Sequence, residues 1–409
     1  MRTKKSRKKD EIEGGVKKVY QKVNPSIHKI EDKDVYVNLE NKYKMLLQDK
    51  LKLPIKFFNN SSLLDFGSGT GERIVFFRRW GAETTSVEFN EDAIKRANKL
   101  MNKYGVPSKG KYYHSCFFDF ETDEKFDFVT AYGVIHHTHS SEKALKHMVK
   151  FMKPGGFLIV GSANIGGFFQ RSLQRHIVRL ASSLFGKEIH EVAKILFNEH
   201  IQRASKMAMR SEKAVIYDTY INPRYNACSL SDLYGWITES NLQIYSTWPP
   251  SCPFPLLDST WEEPIRLESV GFDSLLLISE LGLMSLKDND VERLHLVAEK
   301  LKPYAKNFKL LSRPINDVHE LIDVKILNNC SNAAENIYNN INDINMHFSL
   351  GYFDSIKGFL KEFISLCSFL EKGDFDLNSL KEKINENSYI FKGVQGNPQT
   401  YLVATDPLY

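Results

Sequence analysis

The segment Ser62-Leu63-Leu64-Asp65-Phe66-Gly67-Ser68-Gly69-Thr70-Gly71 restricts what this chain can fold into more than any other. Its apolar start predicts a strand over Ser62 to Asp65, and three glycines at alternate positions follow before a helical stretch opens near Glu72. Glycine takes backbone angles that side chains forbid and lets main chain approach a ligand closely. A strand, an open tight turn and a helix in that order are the beginning of a ligand-binding βαβ unit.

The surroundings agree. From Ser61 to Asn164, short β-rich runs alternate with amphipathic helices, which predicts a parallel sheet. Strands are expected at Ser62 to Asp65, Thr84 to Glu88, Lys111 to Phe117, Phe126 to Tyr132 and Gly156 to Gly161, with helices opening near Glu72, Asp92 and Ser141. Asn90 and Ser140 precede acidic helix starts, as capping residues should. Lys153-Pro154-Gly155-Gly156 ends a helix and leads into a strand. Further on, Ala214 to Tyr220 reads as β-like, Ser229 to Ser240 as a helix, and Leu242 to Thr247 and Thr400 to Thr405 as strands. The fold class is therefore α/β, a doubly wound, mostly parallel sheet with helical insertions.

The 409 residues divide accordingly. Residues 1–60 are a basic tail and helical lead-in, with helical spacing from Tyr36 to Leu53. Residues 61–254 hold the core, with a helical cap at about 166–212. Residues 255–385 are a helical insertion or accessory domain, and 386–409 return to the sheet.

Composition limits the environment. The apolar fraction of 42% supplies a core, and the net charge of +5 comes largely from the first nine residues, as expected for a solvated tail. No apolar run reaches the roughly 18 residues of a membrane span, and no signal-peptide pattern follows the basic start, so a cytoplasmic protein is expected. Five scattered cysteines without a C-x-x-C pair argue against disulfides and zinc.

Glu88 ends the second expected strand about 20 residues after the glycines, where a carboxylate can accept from both hydroxyls of a ribose. A solvent-facing acid at a strand end gives the same pattern, so Glu88 counts only together with the turn. Dinucleotide enzymes share this arrangement, but they place a third glycine beside a pyrophosphate at the helix start. Glu72 stands there instead and would repel it. The charges suit S-adenosylmethionine (SAM), whose sulfonium and ammonium are positive.

With Asp119 in Cys116-Phe117-Phe118-Asp119 added, the chain resembles the class I SAM-dependent methyltransferases, in particular the type 11 or ubiquinone-biosynthesis-like group acting on small molecules and lipids. The run Phe126-Asp127-Phe128-Val129-Thr130-Ala131-Tyr132 and the Lys153-Pro154-Gly155-Gly156 turn look like the same family's fourth strand and the turn beyond it. The resemblance covers about a hundred residues. It implies a seven-stranded methyltransferase sheet and a donor site of Asp65, Gly67, Gly69, Gly71, Glu88, Phe118 and Asp119, with Asp119 at the adenine amino group and Phe118 on the ring.

Methyl transfer from a sulfonium needs alignment first and a base only where the acceptor loses a proton. His136 or His137, at the carboxyl end of the fourth strand, is the expected base or acceptor-facing residue. No metal is expected, because adjacent histidines on a strand end point to opposite sides and no acid or thiolate joins them with His139 at ligand spacing. Tyr217, Asp218, Arg224 and Tyr225 form a second polar cluster where this family usually builds its acceptor pocket, although tyrosines in a connection also pack on cores. The expected reaction is O- or N-methylation of a small molecule, with a sugar or glycan precursor among the candidates. The basic tail and the Arg and Lys of 171–213 keep an RNA or protein acceptor as the alternative, and a non-catalytic binding module is the third reading.

Overall fold

The computed structural model describes residues 14–23, 27–106, 110–208, 210–248, 298–316, 324–345, 354–391 and 399–407. The strands are β1 (Ser62–Phe66), β2 (Glu83–Glu88), β3 (Gly110–His114), β4 (Phe126–Tyr132), β5 (Met152–Ala163), β6 (Gln243–Trp248) and β7 (Gln399–Thr405). They form one sheet in the order β3-β2-β1-β4-β5-β7-β6. The first five pair in parallel, with Leu64 in register with Thr85 on one side and Val129 on the other. β7 runs antiparallel between β5 and β6. Chain order reverses between β1 and β4, and open α/β sheets bind ligands at the carboxyl ends of strands flanking such a switch point.

Leu63, Leu64, Phe66, Val129 and Ala131 are buried on one face or the other, as a sheet covered on both sides requires. Helix α3 (Glu72–Arg79) follows β1 and α4 (Glu91–Lys103) follows β2. α4 starts where Asn90 Oδ1 accepts from Asp92 N at 3.1 Å, and α5 (Ser141–Val149) starts on the Ser140 side chain. The lead-in contains α1 (residues 14–22), α2 (Lys33–Lys44, capped by Asp32) and a π-turn over Met45–Lys50.

Three expectations are corrected. The strand expected over Lys111 to Phe117 stops at His114, because Phe117 and Phe120 leave the sheet to pack on Phe66 at 4.5 and 5.8 Å. The fifth strand starts before Gly156: Met152 already pairs with Phe126, and Lys153-Pro154-Gly155-Gly156 bulges within it, with Gly155 at φ +70°. Ala214 to Tyr220 is helical, not β: α8 (Glu212–Ile216) runs into a π-turn over Tyr217–Ile221. The Ser211 hydroxyl caps it by accepting from Ala214 N at 3.1 Å, and burying Val215, Ile216 and Tyr220 outweighs local β preference.

Above the sheet lies a helical layer. α9 (Leu230–Glu239) precedes β6, while α6 (Phe169–Phe185) and α7 (Ile189–Ala208, broken at Phe197) pack with α10 (Ala298–Asn316), α11 (Val324–Asn345), α12 (Asp354–Lys372) and α13 (Leu377–Glu386) around one apolar cluster. Phe169 meets Phe359 at 5.3 Å and Phe363 at 5.5 Å, and each buried phenyl ring stabilises the assembly by roughly 1.5–3 kcal/mol. Asn316 stitches the layers, accepting from Ser172 Oγ at 2.7 Å and donating to the Ile165 carbonyl at 3.0 Å. The helical content expected over 255–297 lies outside the described residues. Among the described residues no helix is long and apolar enough to cross a membrane.

Candidate functional site

At the carboxyl end of β1 the chain turns through Gly67, Gly69 and Gly71, at φ +65°, +58° and +87°. A Cβ on Gly67 would lie 2.5 Å from Val134, and one on Gly71 would lie 2.6 Å from Ala97. Side chains are excluded there by angle and by space. Gly67 N donates to the Val87 carbonyl at 2.8 Å, which ties the turn to β2.

Glu88, at the end of β2, holds this turn. Its Oε2 accepts from Gly69 N at 2.8 Å and its Oε1 from Asn90 N at 2.9 Å. A carboxylate has about four acceptor positions, so each oxygen keeps one for a further donor. Burial pushes the Glu88 pKa up, and the backbone N–H groups of Asn90, Gly69 and Phe89 oppose that shift. Asp65 is fully buried and engaged: Arg73 donates to both its oxygens at 3.0 and 2.8 Å, and Thr130 donates at 2.6 Å. It positions the start of α3 from below the turn.

The turn opens on a cleft of two connected compartments, about 300 and 360 Å³, which share Val16, Gly67, Phe89, Val134 and His137. The first is apolar, walled by Val87, Phe89 and Phe117, with Asp119 at its edge. The second is polar and holds Ser68, Gly69, Glu72, Glu88 and, farther out, Tyr20, His28, Tyr132 and Arg210. Ser68 Oγ, His28 Nδ1 and Tyr132 Oη are buried without a hydrogen-bond partner. Such atoms are costly unless a ligand meets them.

Of the residues expected at the donor site, Gly67, Gly69, Glu88 and Asp119 line the cleft. Gly71 packs on α4 instead. Phe118 turns to His139, ring centroids 4.4 Å apart, and Phe117 occupies the wall.

The two histidines separate. Gly133, at φ +72°, ends β4, so Ile135–His137 form a 3-10 turn and the rings of His136 and His137 lie 4.3 Å apart, not on opposite faces of a strand. His136 is buried behind, its Nδ1 3.3 Å from Ala163 N, and burial holds its pKa well down. His137 lines both compartments. Its Nδ1 lies 2.9 Å from the Arg224 carbonyl oxygen, which can only accept, and this contact is closer than that to Asn222 Nδ2 at 3.4 Å. Nδ1 therefore carries the proton and Nε2 the lone pair, while burial keeps the ring neutral by lowering its pKa. Among the described residues no three His, Cys, Asp or Glu side chains gather as a metal site.

The cluster from 217 to 225 disperses. Arg224 Nε donates to the Thr138 carbonyl at 3.2 Å and NH2 to that of His139 at 3.3 Å, which clamps the histidine turn. Tyr225 stacks on Phe168 at 4.0 Å. Tyr217 faces outward beneath Lys22, 5.6 Å away, and Asp218 pairs with Arg210 at 3.3 Å.

The sequence reading missed the roof. Gly14, Val16, Lys17 and Tyr20 of α1 lie across the cleft, where the Tyr20 ring meets Phe89 at 6.0 Å and His137 at 5.9 Å. Asn90 Nδ2 donates to the Tyr20 carbonyl at 3.1 Å. Glu72 accepts from His28 N at 3.1 Å, and Arg96 grips Glu31 at 2.8 Å, so the strand of chain after α1 is anchored as well. The apolar spacing of Val16, Val19, Tyr20 and Val23 was the available signal.

A parallel sheet with one reversed strand between β5 and β6, a glycine turn after β1 and an acid ending β2 define the class I SAM-dependent methyltransferase fold. Residues 39–211 match the family model described as a methyltransferase domain, and the chain carries such a domain. The ubiquinone biosynthesis O-methyltransferase of Rickettsia conorii is 26% identical over 46% of this chain and 65% of its own length. A ubiquinone/menaquinone biosynthesis C-methyltransferase of Citrobacter koseri is 30% identical over 24% of this chain and 41% of its own. A solved structure, PKMT2 from Rickettsia typhi in complex with AdoHcy, overlaps 60% of this chain and 51% of its own at 13% identity and a TM-score of 0.43. The chain spans less than two thirds of the length of the curated relatives described here.

Proposed function

We propose that this chain transfers a methyl group from SAM to an oxygen or nitrogen of a small molecule, with a sugar or glycan precursor among the candidate acceptors. The observation that carries the reading is the shared position of His137, whose Nε2 lone pair belongs to a ring bordering both compartments of one cleft. The residues fit the donor. The glycine turn admits close approach, Glu88 keeps two acceptor positions for a ribose diol, and Phe117 and Asp119 offer an apolar wall and an acid to an adenine. Glu72 and Glu88 suit the positive charges of this ligand. Bound SAM would supply a methyl carbon already activated by its sulfonium.

The protein's own part is alignment and proton removal. The turn and the roof hold the reactants together and exclude water, which is where most of the rate gain of such a displacement arises. His137 would take the proton that an O–H or N–H acceptor gives up on methylation. The anchored α1 and residues 27–31 leave an enclosed second compartment, which favours a small acceptor over a nucleic acid or protein.

Calorimetric titration with SAM, its demethylated product and NAD tests the donor. Binding of the first two but not NAD is expected, with a loss of about tenfold to a hundredfold in Glu88→Ala from the charged hydrogen bonds removed. Unchanged affinity in that variant, in a protein that still unfolds cooperatively, would sink the donor site.

A further inference from the structure

The second compartment is lined by acids at the glycine turn, Glu72 and Glu88, and by a guanidinium, that of Arg210. Arg210 lines it beside Tyr20, His28 and His137. Its backbone is fixed at both ends by Ser205, whose carbonyl accepts from Arg210 N at 3.1 Å and whose hydroxyl donates to the Arg210 carbonyl, so the fold aims the side chain. Among the described residues the guanidinium bonds Asp218, NH1 to Oδ2 at 3.3 Å, and its buried Nε meets no acceptor. A fork built for two parallel hydrogen bonds is thus used once.

Two further cations lie on α6. Arg175 is 1% exposed, with Nε and NH1 both unpartnered, and Arg179 beside it spends its donors on the Tyr220 and Asn222 carbonyls. The positive charges of Arg175 and Arg210 both act on His137, and Asp218 is the acid set against them. Arg175 is buried and Arg210 half-buried, with 29% of its side chain exposed, and a buried cation short of counter-charge is unfavourable until an anion arrives. His28 and His137, the histidines lining this compartment, are held neutral by burial.

We infer that the acceptor carries an anionic group, a carboxylate or a phosphate, and that Arg210 seats it in the second compartment. This rests on reading the cleft as a methyltransferase site. An anion on Arg210 would place the rest of the acceptor among Tyr20, His28 and His137, with its nucleophilic atom toward the base.

The test uses the full chain saturated with the demethylated product of SAM and titrated with benzoate, inorganic phosphate and neutral benzamide, in wild type and in Arg210→Gln. Benzoate or phosphate should bind wild type at least tenfold more tightly than Arg210→Gln, while benzamide binds neither; whichever anion binds identifies the group. Affinity for the demethylated product should stay within twofold in the variant. Anion binding that survives in the variant, equal binding of benzamide, or no anion binding at all overturns the inference while leaving the donor reading intact. Lost product affinity in Arg210→Gln would instead assign Arg210 to the donor's own carboxylate. Failure of wild type to bind the product would defeat the donor reading itself.

Discussion

The two ends of the cleft are built in different ways. The donor end comes from short consecutive segments at the tips of β1, β2 and β3, bonded mostly through backbone, as in Gly69 N to Glu88 and Gly67 N to Val87. The other end is assembled from side chains scattered from Tyr20 through Tyr43 and Arg210 to Tyr401. Backbone geometry forces the residue types at the first end, whereas the second depends on which elements the tertiary fold brings together. The first should therefore fail abruptly when altered and the second by degrees.

The sharpest break of that contrast is at His137, which serves both ends. With an acceptor in hand, His137→Gln should lower the transfer rate by about a hundredfold to ten-thousandfold, as loss of a general base does, with donor affinity little changed. In wild type the rate should hold as pH falls through 6.5, because burial lowers the pKa of this ring and keeps it unprotonated below the ordinary value. A rate already halved at pH 6.5 would argue against that role. Next in size, Gly67→Val should abolish measurable donor binding, a loss of a hundredfold or more, since the new side chain meets Val134 at a φ of +65°. Calorimetry and a melting curve on the same sample read both the affinity and the strain.

Tyr20→Ala sharpens the comparison from the roof. It removes edge contacts to Phe89 and His137 but no backbone support, so a loss of only about threefold to tenfold in donor affinity is expected. A loss as large as that of Gly67→Val would mean that the roof, and not the turn, carries donor binding. The remaining effect is global. His28, His176 and His200 are buried with pKa values lowered to about 4, 3 and 3. Folded histidines that resist protonation favour the native state above the unfolded pKa near 6.5, and that advantage is lost as pH falls from 6.5 toward 4. Urea midpoints measured across this window should decline steadily, and a flat profile would show that these rings are hydrated.

The same contrast explains what could be read from the residues. The strands of the sheet and the glycine turn were legible because strand patterns and obligatory glycines are local. Phe117 and Phe118 could not be told apart, since which of two adjacent aromatics faces the cleft depends on the point where β3 leaves the sheet. Residues 214–220 looked like a strand, and the Ser211 cap with burial of Val215, Ile216 and Tyr220 made them a helix. His136 and His137 were equivalent in sequence. Only the turn at Gly133 and the Arg224 carbonyl distinguish them. Arg224 and Tyr225, polar on paper, hold that turn from behind.

The place of β7 bears on how the molecule is made. This strand sits inside the sheet, hydrogen-bonded to β5 and β6, yet it follows all four late helices in the chain. During synthesis β5 and β6 must therefore wait with unpaired edges while more than a hundred further residues emerge, and such edges invite pairing with other chains. The helical layer waits as well, since α6 and α7 share one apolar cluster with helices that begin only at Ala298. A chain stalled before Gln399 would thus hold a gapped sheet, with a slot lined on both sides for one missing strand.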